Sequence, residues 1–563
     1  MASEAAFAYH EPSIKTVLNY TGFLLVLNIA NTCLDKLLYC GLIGQLFIGV
    51  LWGTPGAKWL DRETETVIQQ IGYLGLILLI YEGGLSTSIK ALKANVLLSA
   101  AVALTGICAP MGLSFILMEL ALVTPLQAFS AGAALSATSL GTTFTILSTT
   151  QLTTTRLGTV TTSAAMLDDV VGLVMVQIIS NLGGNSSFSV VTVIRPVFVS
   201  LGFAIGLLLL CAFCLEPVLK IAIQHRACLP DFAGSAEFAF LAQTCVLVGI
   251  VAGATYAGTS SLFAAYLAGV IVSWFDGLVA ESKQHTTSES SAAQGHSISP
   301  QENVSPRTRS HDANELDRSD SRPTQQTESP QHITGEIIYE RYYKEPTNRI
   351  LLPLFFASIG FAIPITKMFS GQVVWRGMIY AVLMAIGKMI TGLWLVRFSS
   401  NPIAGLVSII RKPFAYAHSC AKRQSHKAPK KKNNSENTQV SNATADHSVS
   451  HSSSHNDESP TPAPPSQLSM PPKPKSLYPP SILGLAMVAR GEVGYLIASI
   501  AESQGIFSSG SSEGPSEIYL VVIWAITLCT LVGPILVGTL VKRVKKLQMS
   551  RERGSDPLGV WGI

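Results

Sequence analysis

The sequence predicts an all-α polytopic membrane protein, and three observations predict it. Of 563 residues 48% are hydrophobic and only 13% charged, and mean hydropathy is +0.38 in spite of long Ser-rich stretches, a balance that belongs to membrane proteins. Mostly apolar windows of roughly 20 residues, the length that crosses a hydrocarbon core, recur along the chain. Polar composition is gathered into two blocks rather than alternating with the apolar windows.

About thirteen windows of spanning length are present. They centre near Leu25, Phe47, Leu76, Leu104, Leu135, Val170, Phe203, Val248, Ala268, Phe356, Met384, Val493 and Leu528, and the second is short and Gly-interrupted. Spans one to nine fall within residues 1–275, a polar loop occupies 276–345, spans ten and eleven lie in 346–412, a basic Ser-rich loop fills 413–478, spans twelve and thirteen lie in 479–545, and a tail runs over 546–563. Both loops have too few apolar residues to offset the entropy of ordering them, so disorder is expected.

Lys and Arg near span ends set orientation. Lys90 and Lys93, Arg156, Lys220 with Arg226, the run Arg411 to Lys432, and Lys542 to Lys546 collect on one side if the span count is odd, while the acidic SSGSSEGPSE falls opposite. Lys58, Lys367 and Arg376 run against the trend. The expectation is a multi-pass protein with its C-terminus and long loops in the cytoplasm, in the plasma membrane or an organelle membrane.

Enzymatic and nucleic-acid signals are weak. No Gly-rich phosphate loop or HExxH string occurs, and a net charge of +4 with one local basic run does not describe a nucleic-acid binder. Cys211 and Cys214 lie in LLLLCAFCLEP and suit packing, and His447, His451 and His455 sit in a segment without an apolar face to hold a helix. No cofactor is implied.

Charges inside the spans are the informative residues. Asp168 and Asp169 adjoin in TTSAAMLDDVVGLVMVQIIS, and one Asp at a span centre costs roughly 2.5–3.5 kcal/mol on insertion scales. Consecutive helical residues point about 100° apart, so one carboxylate can face a basic residue on another span while its neighbour lines a cavity. Lys388 in AVLMAIGKMITGLWLV is such a basic residue, with Gly387 and Gly392 beside it to admit a neighbouring helix. Arg490 and Glu492 flank Gly491 in span twelve, and Glu82 in ILLIYEGGL lies nearer a membrane face. GAALSATSLGTTFTIL crowds Ser136, Thr138, Ser139, Gly141, Thr142 and Thr143 where a lipid-facing helix carries Leu and Val. Paired polar interruptions of this kind point to discontinuous helices whose freed carbonyls serve an ion at the midplane, and they are compatible with two inverted three-span units, four to six and eleven to thirteen, although the charged span falls on different sides of the interruption in the two.

The order IGQLFIGVLWG, SATSLGTTFTILS, TRLGTVTTSAAMLDDVVGLVMV, TSSLFAAYLAGVIV, LLPLFFASIGFAI, IGKMITG and ARGEVGYLIA resembles the cation:proton antiporter-2 family, and the Arg-Gly-Glu form resembles its sodium/proton antiporter subgroup. The long polar loops suggest a eukaryotic, fungal-type member. The resemblance implies a sodium/proton antiporter fold with inverted repeats and two crossing discontinuous helices, a homodimer, and a core that moves like an elevator against a panel. It implies Asp169 as the ion-binding carboxylate, Asp168 as its neighbour, Lys388 as the lysine paired with that neighbour, Thr138 and Ser139 at the crossing of span five, and Arg490 with Glu492 as charged support at the other crossing. YEGGL, residues 81–85, departs from the family's usual pattern.

The expected activity is exchange of a monovalent cation, Na+ or K+ with Li+ as a third candidate, for protons by alternating access at the aspartates. Lys388 either only neutralises Asp168 or gives up its proton when the cation arrives. A cation channel or a transport-inactive cation or pH sensor on the same fold is the alternative. An intramembrane aspartyl protease also needs two aspartates, but in Tyr-Asp and Gly-x-Gly-Asp contexts absent here.

Overall fold

Local sequence sets where the helices begin. Thr124 accepts from the backbone N–H of Gln127 while the Gln127 side chain accepts from the N–H of Thr124, and Pro125 takes the first helical position, a capping box with a pre-set φ. Thr155 and Ser235 cap two further helices through Gly158 and Phe238, and Asp61 caps another through Thr64. Proton affinity of the exposed Asp61 carboxyl is lowered, because the Thr64 hydroxyl donates to it.

The structure, a computed structural model, describes residues 11–38, 40–87, 89–139, 141–143, 147, 152, 155–183, 190–224, 235–294, 334–396, 477–508, 516–550, 558 and 561, and their regular structure is helical. In chain order these are α1 (Ile14–Leu38), α2 (Gly41–Trp52), α3 (Arg62–Leu85), α4 (Ile89–Ser114), α5 (Pro125–Ser136), α6 (Arg156–Leu182) and α7 (Val190–Leu210). There follow α8 (Ala236–Ala257), α9 (Ser261–Gln294), α10a (Gly335–Tyr342), α10b (Leu352–Phe361), α11 (Gly371–Met389), α12a (Tyr478–Ala486), α12b (Glu492–Ser503) and α13 (Glu517–Ser550).

Among the described residues nine helices are long and apolar enough to cross a membrane, and they are α1, α3, α4, α6, α7, α8, α9, α11 and α13. The other four expected spans fall on shorter or interrupted pieces. Span two is the 12-residue α2. Spans five and twelve break within their apolar windows, at Ala137–Ser139 and between Ala486 and Glu492. Span ten is α10b, reached from α10a through a π turn at Thr347–Leu351.

Outward faces of α7, of the π turn Cys211–Leu215 that follows it and of α8 carry Phe198, Leu208, Phe213 and Val248 at 60% exposure or more, the pattern of helices that meet lipid rather than water. Inward, two groups of helices form. α2 packs on α1 and α10b, and α3 on α9 and α10b. A Cβ at Gly49 would stand 2.1 Å from Ala357 O and one at Gly360 2.4 Å from Leu46 O, so α2 and α10b touch backbone to backbone, the close approach that small residues permit in membranes. The second group is α4, α5, α6, α11, α12a, α12b and α13, and it holds the charged residues. At one end Leu558 and Trp561 of the tail join a buried cluster with Leu157, Val160, Ile482 and Val541, and the Arg156 guanidinium lies 5.2 Å from the Trp561 ring centroid.

Helical structure reaches into both ends of the polar stretch 276–345. α9 continues to Gln294. α10a is ordered by its aromatic face: Tyr339 is buried, lies 6.1 Å from the Tyr81 ring and stacks on Tyr343, while Asp276 accepts from Gly335 N–H at 2.6 Å. Half-buried Glu82 lies beside Tyr339 in this region. Residues 295–333 and 397–476, with most of both polar loops and the three histidines, lie outside the described residues.

Candidate functional site

The two broken helices meet at their breaks. Ser139 N–H donates to Ala489 O at 3.0 Å, the Thr138 hydroxyl reaches Met487 O at 3.3 Å and the Thr143 hydroxyl reaches Ala486 O at 3.2 Å. From the other side Arg490 Nη1 donates to Ala137 O at 3.0 Å and to Ser136 O at 3.4 Å. Thr530 of α13 donates to Arg490 O at 2.9 Å. Unpaired backbone groups cost several kcal/mol at membrane depth, and here the Arg490 guanidinium, the Ser139 N–H and Thr hydroxyls approach them.

Asp168 and Asp169 lie near the middle of α6, at 0% and 5% exposure. They face different surroundings. Asp168 Oδ2 accepts from Lys388 Nζ at 2.6 Å, and the Thr138 hydroxyl donates to the same oxygen. Lys388, in the last turn of α11 and 0% exposed, also donates to Thr138 Oγ1 at 2.8 Å. This is a buried ion pair with a shared hydroxyl, the geometry in which mutual attraction offsets desolvation. Gly392 lets α12a in close, since a Cβ there would stand 2.3 Å from Pro480 O, and Gly387 rests against Leu113 and Pro110 of α4.

Asp169 has no such neutralisation. Among the described residues its Oδ1 is buried without a hydrogen-bond partner, as is Oδ1 of Asp168. Across the crossing, Glu492 is 6% exposed at the first position of α12b and its Oε2 accepts from the Ser139 hydroxyl at 3.3 Å. The positive end of the α12b dipole favours a carboxylate at that position. Arg490 and Glu492 go to different partners, one to carbonyls of the broken span and the other to Ser139.

All seven residues singled out from sequence, Asp168, Asp169, Thr138, Ser139, Lys388, Arg490 and Glu492, therefore lie at or against one crossing, whereas Glu82 lies away from it beside α10a. Sequence reasoning missed Thr530. A lone Thr in an apolar span carries little signal, because it commonly bonds back to its own helix, as Thr530 also does to Ile526 O at 2.7 Å. The expectation that freed carbonyls serve an ion is modified: Ser136, Ala137 and Ala489 already receive a protein N–H, while the Thr143 and Thr138 hydroxyls near Ala486 O and Met487 O each have a shorter acceptor in Ser139 O and Asp168.

Gly491 sets how closely the two breaks approach. A Cβ there would stand 2.5 Å from Ser139 Oγ. Gly491→Ala is expected to push Ser139 away from Glu492 and to destabilise the protein by about 1–3 kcal/mol, the usual range for overpacking, with reduced transport. Thermal denaturation and flux on the same preparation check this, and wild-type values for both would show the seam to have slack.

Residues 23–293, which include α6 and its aspartates, match the family described as sodium/hydrogen exchanger, transmembrane. The chain is 31% identical over 171 residues to the high-affinity Na(+)/H(+) antiporter NhaS3 of Synechocystis sp., covering 30% of this chain and 37% of that protein. It is 30% identical over 246 residues to cation/H(+) antiporter 17 of Arabidopsis thaliana, covering 41% of this chain and 28% of that protein. The match thus spans 37% of the first relative's length and 28% of the second's. Among solved structures, the sodium proton antiporter MjNhaP1 from Methanocaldococcus jannaschii superposes with a TM-score of 0.51 at 13% identity, covering 94% of this chain and 99% of that one, which establishes the fold. The chain is an all-helical multi-span membrane protein with the fold of that antiporter, and its residues 23–293 are similar to the sodium/hydrogen exchanger family.

Proposed function

We propose that this protein exchanges a monovalent cation for protons by alternating access, with Asp169 as the group that carries either one. The observation that carries the reading is the unequal neutralisation of two adjacent acids: Asp168 has Lys388 at 2.6 Å, while the buried Asp169 has an unpartnered oxygen. A buried carboxylate without a counter-charge costs several kcal/mol. Asp169 lowers that cost by holding a proton or a cation, and one site that holds either makes them competitors. If the empty site resists crossing the membrane, competition becomes exchange rather than leak.

Na+, K+ and Li+ are the candidate cations, since hard cations take oxygen ligands and the crossing supplies carboxylates and hydroxyls. The Ser139 hydroxyl holds Glu492, and Thr138 holds Asp168 and Lys388 in register. Arg490 braces the broken helices. The Arg490-Gly491-Glu492 string supports placement in the sodium/proton-antiporter-like branch of the cation:proton antiporter-2 family, and the long polar loops support a fungal-type setting. A homodimer with cytoplasmic C-terminus and loops, in the plasma membrane or an organelle membrane, completes the reading on the family resemblance and the Lys and Arg distribution.

Dissipation of a preset pH gradient in proteoliposomes, on adding Na+, K+ and Li+ in turn, tests it. At least one cation is expected to collapse the gradient, with the half-saturating concentration rising as the medium is acidified. Cation currents indifferent to the pH gradient would assign a channel, and the absence of any cation-dependent proton movement would assign a sensor.

A further inference from the structure

We propose that Glu492 is a direct ligand of the transported cation, held between the Asp169 and Glu492 carboxylates with the Ser139 hydroxyl at its side; this deepens the exchange reading above and rests on it. Three observations lead there. First, the Ser136, Ala137 and Ala489 carbonyls at the two breaks already receive N–H donors from Arg490 and Ser139, so side-chain oxygens are the ready ligands. Second, three buried carboxylates, Asp168, Asp169 and Glu492, face two cationic side chains, and those two are spent elsewhere: Lys388 on Asp168 and Arg490 on carbonyls. Asp169 and Glu492 therefore share one unmet need for positive charge.

Third, the backbone places them around a common space. Gly172 lies one turn beyond the aspartates on α6, where a Cβ would stand 3.2 Å from Val493 Cγ1 and 3.0 Å from Ala137 Cβ. Glu492 immediately precedes Val493, and Ser139, which bonds Glu492, immediately follows the Thr138 that bonds Asp168. Asp169, 5% exposed, adds a buried carboxylate oxygen without a partner among the described residues. Placement at a helix N-terminus accounts for tolerance of a negative charge at 492, but not for a second acid beside an already unpaired one. Two anionic oxygens form a strong field, which favours the smaller cations, Li+ and Na+, over K+.

The test is cation-dependent thermal stabilisation of the purified full chain, with NaCl, LiCl or KCl replacing choline chloride at constant ionic strength. A ligand that binds the folded state raises the midpoint in proportion to its occupancy. For Glu492→Gln, which keeps the shape and an acceptor for Ser139, the Na+ needed for half the shift is expected to rise about ten-fold, as for a lost charge-assisted contact. The order Li+, Na+, K+ is expected to flatten. An unchanged Na+ response in Glu492→Gln overturns the inference. Should Glu492→Gln prove unstable without cation, Glu492→Asp decides: an altered cation order supports a ligand, and an unaltered one overturns it. Loss of the response in Asp169→Asn with retention in Glu492→Gln would reject this inference alone, whereas retention in Asp169→Asn, or no response of the wild type to any of the three cations, would reject the exchange reading itself.

Discussion

Asp169→Asn abolishes cation-dependent proton movement and leaves the protein folded. The amide matches the carboxyl in size but holds no exchangeable proton near neutral pH and gives no charge to a cation, so both halves of the competition end together. Stability is expected to hold, because the replaced group has a buried oxygen without a protein partner and its loss strands no partner charge. A pH-gradient assay reads the first effect and thermal denaturation the second. Substantial residual exchange in a correctly folded variant would remove Asp169 from the transport cycle.

The second large effect falls on the neighbouring acid through its lysine. Lys388→Gln leaves Asp168, 0% exposed, with only the Thr138 hydroxyl, and breaking a buried pair by removing one partner costs about 3–5 kcal/mol. The double variant Asp168→Asn/Lys388→Gln is expected to recover most of that loss, since what destabilises is the stranded charge rather than the missing bond. Thermal midpoints of wild type, both single variants and the double variant give the coupling. A Lys388→Gln midpoint equal to wild type would show that the pair does not hold the fold. If the double variant still transports, its response to membrane potential separates the two roles of Lys388: unchanged voltage dependence fits a fixed counter-ion, and altered voltage dependence fits a lysine that gives up its proton in the cycle.

How much of this was legible in the sequence depends on what each contact is made of. Asp168, Asp169 and Lys388 stand out because a charge within an apolar window costs enough to need a reason. The breaks in spans five and twelve were visible because Ser, Thr and Gly replace the Leu and Val of a lipid-facing helix. Which acid faces Lys388 followed only from resemblance, since adjacent helical positions leave both choices open. Arg490 was legible as a buried charge but its destination was not: Ser136 and Ala137 receive it through main-chain oxygens, which leave no letter in the sequence. α10a was hidden for another reason. GEIIYERYY has an amphipathic face, but it lies beside a long polar stretch, and its burial depends on Tyr81, more than 250 positions earlier in the chain.

The stitching of the two breaks has a mechanical consequence. Hydrogen bonds from Arg490, Ser139, Thr138 and Thr143, with Lys388 bridging to α6 and Thr530 to α13, fasten α5, α6, α11, α12a, α12b and α13 to one another at their centres. Sliding any one of these rods past the next would tear several such fasteners where no water waits to replace them. A carriage riveted in this way is expected to travel whole, its passenger enclosed, and the slip must be sought along its outer rails.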